Sequence, residues 1–87
     1  MAPEFSHLCL LVERLLDADR LLPEAGGALL AEAEAARRTL EAGDLGAARR
    51  HLAEFARRAE ALVRSGALGP SEGQALREAA RRLLAGC

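Results

Sequence analysis

Few side chains in this 87-residue sequence suit chemistry. The soft metal ligands are His7, Cys9, His51 and Cys87. A tetrahedral zinc site takes four such groups. On one helix, however, residues 7 and 9 point about 200° apart. The spacing of the four also matches no metal motif. No metal and no cofactor are therefore expected. Cys9 and Cys87 make a better pair, since each falls on the apolar stripe of its own segment. They are expected at the same end of the molecule, and Cα atoms within about 7 Å can be bridged. A bond closing so long a loop stabilises by about 4 kcal/mol on the entropic model. Reduced, both thiols behave as small buried hydrophobes.

Arginine supplies all 12 basic side chains. Arg50, Arg57 and Arg64 recur every seventh residue, and their segment carries five Arg against three acids when Asp44 is included. Such a ridge can hold phosphate or an acidic partner. A solvated face with partners one turn away explains the same pattern. No aromatic residue is interleaved to stack bases, and a net charge of −1 argues against nucleic acid. The carboxylates offer no catalytic constellation, because none sits beside a His or Ser expected to be buried. Ser6, Ser65 and Ser71 stand at segment ends, where capping is their ordinary role. Gly26-Gly27 lies inside a helical segment and not in a phosphate-binding loop. The chain reads as a non-enzyme.

The elements that position these residues are helices. The chain has 20 Ala and 17 Leu against two Phe and no Tyr, Trp or Ile, which argues against a sheet. No apolar run reaches about 18 residues, so no membrane span is expected. Apolar residues repeat at three and four over about 4–19, 23–42, 45–65 and 70–85. The first stripe is Phe5, Leu8, Cys9, Val12, Leu15 and Leu16; the third includes Leu52, Phe55, Ala59 and Leu62. Pro23 and Pro70 open the second and fourth segments, as suits the first helical turn. Gly43 ends the second, and Asp44 caps the third. Glu34–Arg38, Glu54–Arg58, Glu60–Arg64 and Glu78–Arg82 stand at i,i+4 on the polar faces. Short connections force antiparallel neighbours. The expected fold is all-α: one domain over 1–87, an up-down-up-down four-helix bundle. Leu10 and Leu11 fall off the first stripe and Leu30 beside the second. These three are expected to stay partly exposed and to contact a protein partner or a second copy.

The sequence also matches itself at an offset of 47. Between residues 13 and 33, eight positions are identical to those 47 further on, among them Pro23/Pro70 and Gly26/Gly73. Two similar helical hairpins packed as a pseudo-dimer are expected. Gly26 and Gly73 fall on apolar stripes, where a missing side chain allows close approach.

A known module has this pattern. The residues that carry it are Leu-Leu-Pro-Glu-Ala at 21–25 with Ala-Leu-Leu at 28–30, and Leu-Glu-Ala-Gly-Asp-Leu-Gly-Ala-Ala at 40–48. His-Leu-Ala-Glu-Phe-Ala at 51–56, Val-Arg-Ser-Gly-Ala-Leu-Gly-Pro at 63–70 and Gln-Ala-Leu at 74–76 continue it. The chain resembles the FIMAH-type helical module of bacteria over about residues 8 to 85. That resemblance implies a small non-catalytic accessory module of secreted multidomain hydrolases. The start lacks a basic, apolar export signal, so the chain as written is expected in the cytoplasm, or outside the cell if it is a module of a secreted protein. The expected function is protein interaction or tethering. The alternative is a small-ligand binder with an apolar pocket between the hairpins, lined by Phe5, Leu8, Phe55 and Leu62.

Overall fold

Proline, aspartate and glycine set the helix limits. A computed structural model describes the backbone of residues 3–86 and the side chains of 5–85. Its helices are α1 (Pro3–Asp17), α2 (Pro23–Glu41), α3 (Leu45–Arg64) and α4 (Pro70–Gly86). The Asp44 carboxylate accepts the Ala47 N–H at 3.0 Å, satisfying one of the unpaired donors at the start of α3. Gly43 (φ 85°) and Gly66 (φ 82°) take the left-handed conformation that turns the chain after α2 and α3. The first helix stops at Asp17, two residues short of the expected end. The cause is Asp19, which adopts the left-handed region (φ 57°).

Each helix packs on the next, α4 closes against α1, and the diagonal pairs do not approach. The molecule measures 35 × 21 × 19 Å, so the helices run along one axis. This is the four-helix bundle expected from the spacing. Phe5, Leu8, Val12, Leu29, Leu52, Phe55 and Leu76 fill its centre, with Ala33, Ala36, Ala59 and Ala80 between them.

The 47-residue offset is written into this packing. Phe5/Leu52, Leu8/Phe55, Val12/Ala59, Leu21/Leu68, Leu29/Leu76, Ala33/Ala80 and Ala36/Leu83 are all buried pairs. Phe and Leu exchange places between the first two pairs, so the volume is kept. The turns repeat as well. Arg20 N–H donates to Leu15 O at 2.9 Å, as Ala67 N–H does to Leu62 O at 2.9 Å. Asp19 occupies the position of Gly66, and both have positive φ. A Cβ on Gly26 would lie 2.8 Å from Leu16 Cγ and 2.9 Å from its Cδ1, and one on Gly73 would strike Val63 Cγ2. Leu16 and Val63 are themselves 47 apart. Each hairpin thus closes its two helices on a glycine at an equivalent position.

Candidate functional site

The two hairpins are alike inside and opposite outside. Residues 3–41 carry four Arg against eight Asp and Glu, a net of −4. Residues 45–86 carry eight Arg against four Glu, a net of +4. Because the diagonals are apart, the α1–α2 side and the α3–α4 side lie on opposite sides of the bundle.

Each of these sides holds a shallow groove. The one between α3 and α4 has a floor of Ala53, Ala56 and Leu84, walled by Arg57, Arg77, Arg81 and Glu60. The one between α1 and α2 is lined by Phe5, Ser6, Cys9, Glu13, Ala33, Glu34 and Arg37. Their volumes, about 380 and 410 Å³, hardly differ. Cys9 corresponds to Ala56, Glu13 to Glu60 and Glu34 to Arg81 at the offset of 47. Leu10 and Leu30 correspond to Arg57 and Arg77. Charge, not shape, therefore separates the two grooves.

Within the acidic groove, Glu34 pairs with Arg37 and not with the expected Arg38, and Arg37 also reaches Glu41 at 3.3 Å. The Arg37 hydrogen bond holds the Glu34 carboxyl below the usual carboxylate range. Burial, and then Glu34 and Glu13, push the Cys9 thiol up, against an opposing effect of Arg37. At neutral pH this thiol is a poor nucleophile. In the basic groove the three guanidiniums face one carboxylate, Glu60, which itself bonds Arg64 at 2.6 Å. Arg77 and Arg81 stand at i,i+4 on α4, an arrangement that costs an isolated helix about 0.2–0.5 kcal/mol.

The three leucines expected to bind a partner differ in degree of exposure. Leu10 is 44% exposed, and Leu11 and Leu30 are partly exposed as expected, with the rest of each side chain packed against the core. The reason is the square section of the bundle. Each helix covers residues on two flanks, so only its outermost stripe stays open. On α1 the exposed residues are Ser6, His7, Leu10, Glu13, Arg14 and Asp17.

The arginine ridge also divides. Seven residues of helix rise about 10 Å, so Arg50, Arg57 and Arg64 do not gather on one anion. Arg64 bonds Glu60, Arg50 is exposed, and Arg57, 3.5 Å from Glu54, joins Arg77 and Arg81 instead. Arg77 and Arg81 were not singled out by the sequence. The signal that finds them is their alignment with Leu30 and Glu34.

Cys9 is free and half-buried, while Cys87 lies outside the described residues, so the Cys9–Cys87 pairing does too. His7 is exposed, and His51 Nδ1 lies 2.9 Å from Glu32 Oε1. Glu32 also lies 3.4 Å from Arg58, tying α2 to α3, as Arg20–Glu72 at 2.6 Å ties the α1 turn to α4. Among the described residues no three His, Cys, Asp or Glu gather as metal ligands. Of the four residues expected to line a pocket between the hairpins, Phe5, Leu8 and Phe55 pack into the core at 1% exposure or less. Leu62 instead lines an open groove between α2 and α3 with Ala25, Ala28, Arg58, Ala61 and Ser65.

The FIMAH domain model matches residues 5–85, which takes in parts of all four helices. The chain belongs to the FIMAH domain family. FIMAH domains are small accessory modules and not a known catalytic family. Comparison with curated proteins and with solved structures gives no match. Among the described residues of this FIMAH domain, no helix is long and apolar enough to cross a membrane. Its acidic hairpin and its basic hairpin are built on one repeated fold.

Proposed function

We propose that this FIMAH domain is a non-catalytic protein-interaction or tethering module. The observation that carries this reading is the divergence of its two hairpins. Their interiors pair along the 47-residue offset, yet the two hairpins differ by eight charges, −4 against +4. Folding alone gives no reason to separate charge in this way, because most of these groups are on the surface, where ion pairs contribute little. Separated charge does steer and orient a partner. Exposed Leu10 on α1 and the alanine floor between α3 and α4 supply apolar contact beside the charge.

The test is site-specific photo-cross-linking of the full chain in its native host. A photoreactive residue at position 10 or 77 is expected to trap one discrete protein species. The same probe at Ala31, exposed on α2, should give background only. Equal labelling at all three positions, or none at any, would overturn the reading.

A further inference from the structure

The outer stripe of α1 and the basic groove match each other in detail. Along α1, exposed Leu10 is followed by Glu13 three residues on and Asp17 four further, with Arg14 exposed beside Glu13. Along α4 the groove residues are Arg77, then Arg81 four residues on, then Leu84 three further. Set antiparallel, the two lines superpose: Leu10 on Leu84, Glu13 on Arg81, Asp17 on Arg77. Two carboxylates one turn apart meet two guanidiniums one turn apart, and a leucine meets the apolar floor. Arg57, across the groove on α3, adds a third cation to it.

We infer that the occupant of the α3–α4 groove is helix α1 of a second copy of this chain. The inference rests on the interaction-module reading and names its partner. A helix laid into a groove between two others, with an apolar anchor flanked by charge, is an established recognition mode. Here both halves of the contact lie on one chain. Contact between two different patches is heterologous, and it propagates unless rotation closes a ring. The α1–α2 and α3–α4 sides lie on opposite sides of the bundle. Each added copy therefore leaves one free stripe and one free groove, and association does not stop at a dimer. Leu11 and Leu30 play no part, being committed to their own core.

The test uses two variants of the full chain. Arg77→Gln/Arg81→Gln removes the groove charge and leaves α1 intact. Glu13→Gln/Asp17→Gln removes the stripe charge and leaves the groove intact. All four positions are exposed and Gln is a good helix former, and far-UV circular dichroism establishes that both variants keep the native helicity. Sedimentation velocity then reads mass against concentration. Wild type is expected to exceed dimer mass at low salt, and its association constant to fall about tenfold or more between about 0.05 and 0.5 M salt. Each variant alone is expected to be monomeric. Mixed one to one they should form a heterodimer and nothing larger, because one live stripe then meets one live groove. A wild type that stays monomeric at low salt overturns the inference. So do variants that associate as wild type does, or a mixture that remains monomeric. In those cases cross-linking to a different protein at position 10 or 77 would still stand for the interaction module itself.

Discussion

Alanine at position 27 should raise the melting temperature and alanine at position 26 should lower it. Both glycines lie inside α2, one residue apart, so the intrinsic gain is the same. Replacing Gly by Ala in a helix interior gains about 1 kcal/mol of backbone entropy. A Cβ on Gly27 meets nothing within 4 Å, so the gain is kept whole. In a domain of this size about 1 kcal/mol moves the midpoint by roughly 4–8 °C. At Gly26 the new methyl would lie 2.8 Å from Leu16 Cγ and 2.9 Å from its Cδ1. Leu16 is half-buried in the α1–α2 seam and must leave it, or the helices must part. Overpacking of this kind costs about 1–3 kcal/mol. The net expectation is a loss of about 1 kcal/mol at 26 beside a gain of about 1 kcal/mol at 27. Thermal and urea unfolding followed by circular dichroism measure both. Gly73→Ala should share the sign of Gly26→Ala, because Val63 is branched at Cβ and stiff. Leu16→Ala should be less harmful in the Gly26→Ala background than in wild type, with a coupling of at least about 0.5 kcal/mol. If Gly26→Ala stabilises as much as Gly27→Ala, the close-approach argument is wrong.

Four further outcomes follow from the same packing. Gly66→Ala forces a side chain into the left-handed region (φ 82°) and should cost about 1 kcal/mol in urea unfolding, while Asp19→Gly at the equivalent position should be neutral or stabilising. Asp44→Ala removes the α3 cap and should cost about 1 kcal/mol, read as a lower urea midpoint. Phe55→Ala empties the centre of the core and should cost about 3–5 kcal/mol. Against the roughly 4–13 kcal/mol expected for a chain of this length, that loss should show as a large drop in urea midpoint and melting temperature by circular dichroism. Glu34 and Glu72 are both held below the usual carboxylate range, Glu34 first by its Arg37 hydrogen bond and Glu72 first by a backbone hydrogen bond and then by Arg20. Their stabilisation is present above that range and is lost as pH falls through their lowered pKa values. Glu34→Gln/Glu72→Gln should therefore flatten the acid limb of a melting-temperature profile and leave its slope above neutrality unchanged.

Turn chemistry made much of the fold legible. Pro23, Pro70, Gly43 and Asp44 act within a few residues of themselves, so the limits of α2, α3 and α4 follow from the sequence to within a residue. The α1 end was less visible, because an Asp in the left-handed region leaves no local mark. Only the repeat, which sets Asp19 on Gly66, could have shown it. Surface residues were harder still. Periodicity along one helix puts Leu11 and Leu30 off the stripe, but it cannot say which flank a neighbour covers. Arg57, Arg77 and Arg81 are one cluster only after α3 and α4 are laid side by side. In a chain with 12 Arg, spacing alone drew attention to Arg50 and Arg64 instead.

Self-association through α1 and the α3–α4 groove is tested most directly by a surface map. Amide chemical shifts of the uniformly labelled chain, followed by NMR as concentration rises at low salt, provide it. Shifts are expected to move together along Leu10, Glu13 and Asp17 and around Arg57, Arg77, Arg81 and Leu84, and to return when salt is added. Shifts confined to the α2–α3 side, or spectra that do not change with concentration, would contradict it.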